Sequence, residues 1–568
     1  MARSGMSPDE AVALLRHLTY LGAMSIAARQ QWRGDWTPVQ RIIQAARELL
    51  LLESEWLHGL LQRSNALLTP DDLALVPGEE CRLHHAAFTV DSSDRPIDVI
   101  KEKETLVIQF GIFQNGASDL PVADTPSGVL VSAGNLEEMH ASYQRILVDQ
   151  VRQGVLAEQL GYDFYFMTEH HFQPEGPEFS PNPLMAEMAI AAQTRRIRLG
   201  QATNILTQWH PLRVAELGAM LDVVSGGRVE FGVGRGYQPR EVEVFGFPYG
   251  SSIQDQERNR AYFQEAYDLI IKAWTEPSFS HHGEFFSVPP TYTRWNHAQT
   301  IAYFSQPHVG RALEQVLRIG PPDQCGGGNP VTHTTTVLKE ISLFPQPLQK
   351  PYPQCWEPVA SSRSVEWAAA HGVNCNINAI PRNRLRKVVE TYHQASEKAG
   401  WPDRLNRGEF KFGWDAEKRR GLSVGPWVHL LKAGDEQAQM ARIDRSLEME
   451  WNYYGPFGFT AGLADADEAP YPLDMRVTGE MLRQKETALV GRVDEVTAAL
   501  LRMKALVGSE DFLVLCHFEM PGLNGEEVEE QMSLFAEQVM PELRSACGGS
   551  PALPPSNVDL VPKQPAQA

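Results

Sequence analysis

Residues 197–234 read IRLGQATNILTQWHPLRVAELGAMLDVVSGGRVEFGVG, two apolar runs on either side of a longer amphipathic stretch. The runs IRLGQAT (197–203) and GRVEFGVG (227–234) have the length and composition of buried strands, whereas PLRVAELGAMLDVVS has apolar residues at helical spacing. A strand, a helix and a second strand in this order form a βαβ unit, whose two strands lie parallel in one sheet.

The same alternation begins near residue 105 and continues through most of the chain. LVIQFGIF (106–113) and DFYFM (163–167) are further strands, and each is followed by an amphipathic helical stretch. About eight such alternations occur, more than the roughly five or six of a doubly wound sheet, so the sequence predicts a (β/α)₈ TIM barrel.

Three regions lie outside this regular pattern. Residues 1–100 are predicted to be a helical N-terminal extension, since SPDE at 7–10 has the form of a capping box. Residues 288–336 are too long for an ordinary βα loop and are predicted to be an insertion that serves as a lid. The barrel is thus expected over residues 105–545, followed by a disordered tail, 546–568, that is rich in Pro, Gly, Ser and Ala.

The composition restricts the classes of function. The chain has 568 residues, with 71 acidic against 51 basic side chains and a formal charge of −20. This field repels nucleic acids and anionic membranes, so neither is an expected partner. The six cysteines have no CxxC spacing, and no apolar stretch reaches the roughly 18 residues of a membrane span. We expect a soluble, cytoplasmic protein.

The stretch YDFYFMTEHHF (162–172) is a predicted strand that ends in Glu169, His170 and His171. A metal site, a buried core histidine and a solvated strand end are alternatives to an active site. Adjacent residues on a strand point to opposite faces, which argues against two ligands for one metal, and we predict no metal. The carboxyl ends of barrel strands form the face where active sites are built, and a histidine there can exchange a proton.

Two other stretches suit a phosphate group. GVGRGY lacks the GxGxxG spacing of a dinucleotide site, but its Arg235 supplies a fixed cation after a strand. Ser361 and Ser364 begin a helix, where hydroxyl and free N–H groups bind phosphate. A tight turn with a surface arginine and an ordinary helix cap remain alternatives to these two readings.

Taken in order, several stretches resemble the bacterial luciferase-like, flavin-dependent monooxygenase family over roughly residues 105–545. They are FGIF, GYDFYFMTEHHF, LGQATNILTQWHP, SGGRVEFGVGRGY, the helix RAYFQEAYDLI that contains Arg260, and SSRSVEWAAAHG. The resemblance implies a (β/α)₈ barrel that binds reduced FMN, or the deazaflavin F420 in one branch, at its carboxyl face.

The resemblance also implies roles for individual residues. His170 matches the catalytic histidine, with Glu169 beside it, and Ala202-Thr203 falls where relatives often have a non-proline cis peptide bond. Gly234 takes the place of a reactive cysteine of the luciferase α chain, so light emission is not implied and open space beside the flavin is expected. The positions that match phosphate-binding residues are Arg235, Arg260, Ser361 and Ser364.

The expected activity is oxygenation of a small organic substrate with reduced FMN and O₂, by way of a flavin C4a-hydroperoxide. A separate flavin reductase is expected to supply the reduced FMN, and the protein is expected to be a homodimer. Two alternatives remain on the same barrel: an F420-dependent hydride-transfer oxidoreductase, and a catalytically silent subunit that binds flavin or a partner.

Overall fold

The computed structural model describes residues 108–246, 250–295, 297–319, 336–359, 361–378, 381–399, 422–465, 468–507 and 512–547. The predicted N-terminal extension, 1–100, lies outside the described residues, as does the predicted tail after residue 547. Of the predicted insertion, residue 296 and residues 320–335 lie outside them as well.

Eight strands of the described residues form one closed parallel sheet. They are β1 (Ile108–Gln114), β2 (Phe164–Met167), β3 (Arg198–Gln201), β4 (Val229–Gly234), β5 (Gln354–Pro358), β6 (Asn374–Asn378), β7 (Leu422–Gly425) and β8 (Phe512–Cys516). Each strand pairs with the next, and β8 pairs with β1, with Phe110 opposite Val514. The predicted (β/α)₈ barrel is therefore confirmed.

Helices connect the strands. Those described are α1 (Leu136–Leu160), α2 (Pro183–Ala191), α3 (Pro211–Ser225), α4 (Pro239–Gly246), α5 (Gln256–Thr275), α6 (Ala298–Phe304), α7 (Leu313–Val316), α8 (Ser362–Ala370), α9 (Arg382–Ala399), α10 (Glu436–Tyr454), α11 (Phe459–Gly462), α12 (Gly479–Gln484), α13 (Val493–Val507), α14 (Gly525–Leu534) and α15 (Met540–Cys547). Across the described ranges, no helix is both long and apolar enough to span a membrane.

Shorter elements complete the description. Antiparallel pairs join Val122–Asp124 to Leu130–Ser132, His281–His282 to Ser287–Val288, and Leu317–Ile319 to Thr336–Leu338. Trp427–Leu430 pairs in parallel with Ala488–Gly491, and Asn204–Ile205 pairs with the end of β4. Single turns lie at Leu206–Gln208, Pro307–Val309, Gly455–Phe457 and, in π geometry, Phe535–Val539.

Local signals explain where the helices begin and end. Asn135 caps α1 through a capping box with Glu138, and the helix ends at Gly161, whose φ of 85° favours glycine. In the βαβ unit at 197–234, Pro211 occupies the first turn of α3 and Gly226, with φ 74°, ends it. The chain is thereby turned back toward the amino end of the next parallel strand.

The interior of the barrel is tightly packed by apolar and hydrogen-bonded polar side chains. Its apolar cluster comprises Phe113, Phe164, Phe166, Ala202, Trp356, Leu513 and Leu515. Among the polar groups, Trp356 Nε1 donates to Glu230 Oε2 at 2.6 Å, and the Ser423 hydroxyl donates to Asn376 Oδ1. A larger cluster fills the space between strands and helices. At Gly232 a Cβ atom would lie 1.6 Å from the Gln201 carbonyl oxygen, so β3 and β4 approach as closely as they do only because this residue is glycine. Because the interior is filled by side chains, a ligand site is expected at the carboxyl face.

Candidate active site

Glu169 lies just beyond β2 and connects it to the segment after β3. Its side chain is buried, and Oε2 accepts a hydrogen bond from the Ile205 backbone N–H at 2.7 Å. Its Oε1 accepts one from Trp209 Nε1 at 2.6 Å and lies 3.2 Å from His171 Nε2. Both carboxylate oxygens are thus engaged by protein groups, so Glu169 acts on the site by fixing the loop that follows β3.

His170 is buried between carboxylates. Its Nε2 lies 3.1 Å from Glu178 Oε2, and its Nδ1 lies 3.4 Å from Glu241 Oε1. Burial by itself lowers the pKa of this imidazole, but the neighbouring carboxylates of Glu178, Glu241 and Glu169 raise it to about 9. His170 therefore carries a proton at neutral pH and is prepared to act as an acid.

Glu178 and Glu241 were not predicted from the sequence. Both come from segments that follow barrel strands, the loop after β2 and helix α4. The loop also contains Glu175, which instead forms a surface ion pair with Arg240 at 3.0 Å, and nothing in the local sequence distinguishes Glu175 from Glu178.

In the described part of the chain, no group of three His, Cys, Asp or Glu side chains is arranged to hold a metal ion.

Arg235 and Arg260 form a second charged region. Arg235 follows β4 and donates to Asn259 Oδ1 at 3.0 Å and to Gln256 Oε1 at 3.2 Å. Arg260 lies on α5, and its buried Nε has no hydrogen-bond partner among the described residues. Burial and then Arg260 lower the pKa of Arg235, whereas burial and then Arg363 lower the pKa of Arg260, so several guanidinium groups lie close together here.

Two carboxylates, Glu357 and Glu257, raise the pKa of both arginines. Glu357 is the buried one. It lies in β5, and burial raises its pKa to about 8, although Arg235 and Arg260 oppose the rise. Its Oε2 has no hydrogen-bond partner in the described ranges. Because Glu357 is partly neutral near pH 8 and Glu257 is itself paired with Arg363 at 2.7 Å, these two carboxylates do not fully compensate the guanidinium groups. The region, which we call the arginine pair (Arg235 and Arg260), therefore fits a phosphate.

Ser361 and Ser364 lie at the amino end of α8. Ser361 caps the helix by accepting from the Ser364 backbone N–H at 3.2 Å, and their hydroxyl oxygens are 3.1 Å apart. Between them, Arg363 pairs with Glu257 of α5 at 2.7 Å and lowers the pKa of Arg260. The helix end is thus held beside α5, the helix that carries Arg260, where its N–H groups favour an anion.

The peptide bond between Ala202 and Thr203 is cis, as the family resemblance implies. Both residues are buried directly after β3. A Cβ atom on Gly234 would lie 2.4 Å from Thr203 Cγ2, so the two segments touch. The expectation of open space beside Gly234 is therefore wrong on the side that faces Thr203, because the Thr203 side chain already occupies that space.

A second histidine, His517, follows β8 and was also not predicted. Its ring stacks on Phe113 with centroids 4.0 Å apart and lies against Trp427 at 4.5 Å. Burial lowers its pKa to about 3. His170 and His517 both follow barrel strands, yet carboxylates hold the first as a cation and apolar packing holds the second neutral.

Comparison with known proteins gives the family context of this barrel. Residues 126–310 match the model of a family described as luciferase-like monooxygenase. The match confirms the resemblance that the ordered sequence motifs indicated. It includes β2 to β4 and helix α5, and therefore His170, Arg235 and Arg260.

Two curated relatives illustrate the range of similarity. An uncharacterized protein of Sinorhizobium fredii is 26% identical over 258 residues, which cover 45% of this chain and 58% of that protein. The oxygenase component of the flavin-dependent trigonelline monooxygenase of Acinetobacter baylyi is 22% identical over 406 residues, which cover 68% and 87%. Against the S. fredii protein and another from the same organism, the chain spans 58% and 41%, about half of their length.

A solved structure shows the same fold. It is the oxygenating constituent of 3,6-diketocamphane monooxygenase from Pseudomonas putida, a type II Baeyer-Villiger monooxygenase in complex with FMN. The sequences are 18% identical, the match covers 77% of this chain and 99% of that chain, and the TM-score is 0.51. At this identity the likeness supports the barrel architecture alone.

Proposed function

We propose, from the luciferase-like monooxygenase match and the geometry of the carboxyl face, that this protein is a flavin-dependent monooxygenase that uses reduced FMN and O₂. The observation that carries the proposal is the arginine pair, two partly buried guanidinium groups, with no hydrogen-bond partner among the described residues for Arg260 Nε. On the same face of the barrel lies His170, a buried imidazole whose pKa of about 9 keeps a proton available.

Each part of the face has a task in this proposal. Arg235 and Arg260 hold the phosphate of FMN, with the Ser361 and Ser364 end of α8 beside them. When bound, reduced FMN supplies the electrons with which O₂ oxygenates an organic molecule. The buried setting of Ala202 and Thr203 excludes water there. The route of oxygen activation that the resemblance implies stays a prediction.

His170 is the proton donor of this proposal. As an imidazolium it gives up one proton, from a ring nitrogen, to an oxygen atom that gains negative charge in the reaction. Glu169 keeps the loop after β3 in place through Ile205 and Trp209. The substrate is a small organic molecule, since the packed barrel interior leaves only the loops of the carboxyl face to shape a pocket.

The partners follow from this chemistry. The related trigonelline enzyme is named as an oxygenase component, which supports a separate reductase as the source of reduced FMN here. A homodimer and a cytoplasmic location are further parts of the proposal. Neither a nucleic acid nor a membrane is proposed as a partner, because the net charge is −20.

Anaerobic binding tests the proposal first. The protein is titrated without O₂ with reduced FMN, oxidised FMN and reduced F420, and binding is followed by absorbance and fluorescence. We expect reduced FMN to bind more tightly than the other two, and admission of O₂ in the presence of candidate substrates to yield an oxygenated product. Tighter binding of F420 would favour hydride transfer. Binding of FMN without O₂-dependent product from any substrate tested would favour the silent subunit.

A further inference from the structure

The arginine pair has a third guanidinium group beside it, that of Arg363. Arg363 lies in the first turn of α8, between Ser361 and Ser364, and its side chain is 56% exposed. Its charge acts on both Arg260 and Arg235. The family resemblance assigns the phosphate to the arginine pair and the two serines and gives no role to Arg363. An accessible cation this near the proposed phosphate site is in position to bind the same anion.

The partner of Arg363 in the structure is Glu257, in the first turn of α5. Arg363 Nη1 donates to Glu257 Oε1 at 2.7 Å and Nη2 donates to Oε2 at 2.8 Å, so the pair is bidentate. The Glu257 side chain is 71% exposed, and an ion pair at such exposure contributes little to stability. A phosphate presents two oxygens to a guanidinium group as a carboxylate does, so it can replace Glu257 on Arg363 at little cost.

Glu257 lies close to the arginine pair as well as to Arg363. It precedes Arg260 by three positions on α5, so the two side chains lie on the same face of the helix. Arg235 reaches the same first turn, where it donates to Gln256 Oε1 at 3.2 Å. The hydrogen bonds from Arg363, and then the charges of Arg260 and Arg235, lower the pKa of Glu257. An anion on the arginine pair therefore competes with Glu257 for Arg363.

The charges at this end of the site match a phosphate monoester. Three guanidinium groups lie beside two carboxyl groups, and one of these, Glu357, is mostly neutral at pH 7 because burial raises its pKa to about 8. About two positive charges therefore remain, and the phosphate of a monoester carries about −1.5 to −2 at this pH. A phosphodiester, which lacks the second ionisation, matches these charges less well. The site is thus suited to the dianion that FMN carries.

We propose that Arg363 is a third phosphate-binding residue, which leaves Glu257 when a phosphate monoester binds to the arginine pair and thereby favours the dianion. This inference rests on the proposed function, since reduced FMN is the monoester proposed to bind here. Arg363 exchanges one bidentate partner for another, so its donors stay paired. Glu257 is exposed, so its carboxylate is solvated by water once Arg363 has left.

A purely structural role of Arg363 has a different consequence. The pair with Glu257 also joins α8 to α5, and it neutralises a carboxylate that would otherwise repel a phosphate. If this were its only role, loss of Arg363 would weaken binding solely because Glu257 is left uncompensated. Removal of Arg363 from a protein that already lacks the Glu257 carboxylate would then change nothing. The double variant therefore distinguishes the two roles.

Anaerobic titration with reduced FMN tests the inference on the wild type, Arg363→Gln, Glu257→Gln and the double variant. We expect Arg363→Gln to raise the Kd roughly 3- to 10-fold, and Glu257→Gln to lower it because the competitor of the phosphate is gone. The Kd of the double variant should exceed that of Glu257→Gln by at least the same factor. Reduced riboflavin, which has no phosphate, should bind all four proteins alike. Arg213→Gln is the matched control, an exposed arginine in the first turn of α3 that pairs with Glu216 at 2.7 Å, and it should leave the Kd unchanged.

Inorganic phosphate separates this inference from the proposed function. It provides the dianion without the flavin ring, and its binding is measured as a rise in Tm. We expect a smaller rise for Arg363→Gln than for Arg213→Gln, and a smaller rise for the double variant than for Glu257→Gln. A double variant with the Tm rise and the Kd of Glu257→Gln would overturn the inference and leave the proposed function intact. If the phosphate effect depends on Arg363 but reduced FMN does not bind, or binds without oxygenation, the role of Arg363 stands and the proposed function fails.

Discussion

The carboxyl face of the barrel has two charged regions, one buried around His170 and one partly buried at the arginine pair, whose charges are compensated differently. Around His170, the protein supplies the counter-charges itself, with Glu178 and Glu241 at 3.1 and 3.4 Å from the ring nitrogens. At the arginine pair, burial and then Arg260 lower the pKa of Arg235, burial and then Arg363 lower the pKa of Arg260, and burial raises the pKa of Glu357 to about 8. The first region is complete without a ligand, and the second is not.

This difference indicates which region binds and which reacts. A partly buried cation that is not fully compensated becomes more stable when an anion binds, so part of the binding free energy of a phosphate comes from that pairing. The imidazolium of His170 is already paired with carboxylates, so it does not require a bound anion, and its surroundings instead set the pKa at which it releases a proton. Substitutions in the two regions should therefore separate binding from turnover.

The largest effect is expected at His170. His170→Asn removes the proton donor but none of the cations of the arginine pair, so product formation should fall by roughly 10²- to 10⁴-fold while the affinity for reduced FMN stays within a few-fold. Single-turnover product analysis beside an anaerobic FMN titration measures both. If His170→Asn also bound reduced FMN much more weakly, the prediction that His170 acts in turnover and not in FMN binding would be wrong.

Next in size is the effect of Arg260→Gln. A charge-assisted hydrogen bond contributes about 1.5–3 kcal/mol, so the Kd for reduced FMN should rise on the order of 10- to 100-fold. Reduced riboflavin, which has no phosphate, should bind the variant and the wild type alike. Arg258→Gln is the matched control on the same helix, since the Arg258 side chain forms an ion pair with Glu284 at 3.6 Å and donates a hydrogen bond to the Gly250 carbonyl oxygen. Equal losses for FMN and riboflavin would contradict a phosphate role.

A smaller effect is expected from Glu357→Gln. Because the pKa of Glu357 is raised to about 8, this side chain becomes negative as the pH rises through 8 and then competes with a phosphate for the arginine pair. The affinity of the wild type for FMN should decline by a few-fold between pH 7 and 9, and that of the variant should decline less. Kd values at four or five pH values decide this. If the Kd for FMN had the same pH dependence in both proteins, ionisation of Glu357 would have no effect on phosphate binding.

The smallest effect concerns stability. The pKa of His170 is raised from 6.5 to about 9 on folding, so its stabilising contribution is fully present below pH 6.5 and is lost as the pH rises through 9. The difference in unfolding free energy between wild type and His170→Asn should therefore shrink between pH 6.5 and 9. Urea unfolding at both ends of that range measures it. A difference that grows with pH would mean that the ring is not held as a cation.

The fold could be predicted because the signals for its strands and helices lie within short stretches of the sequence. Each strand and helix of the βαβ unit at 197–234 has its own apolar period, and Pro211 and Gly226 mark the helix ends. His170 could be predicted because a strand end places it on the carboxyl face. Arg260 required the family resemblance, since nothing in its own helix distinguishes it from Arg258.

The partners of His170 could not be predicted, because their proximity exists only in the folded barrel. Glu178 and Tyr454 are 276 positions apart in the chain, yet their side chains meet at 3.0 Å. Glu175 and Glu178 have nearly the same local sequence and opposite surroundings. The charge state of a buried carboxyl depends on neighbours from several segments, and a local pattern does not carry that information.

Stopped-flow absorbance tests the central claim most directly. The wild type, loaded anaerobically with reduced FMN, is mixed with oxygenated buffer, and the appearance of oxidised FMN is followed beside Arg260→Gln and free reduced FMN. The account predicts that oxidised FMN forms far more slowly on the wild type than in solution, and that the variant, at the same FMN concentration, behaves largely like free FMN. Oxidation on the wild type at the rate of free reduced FMN would contradict it.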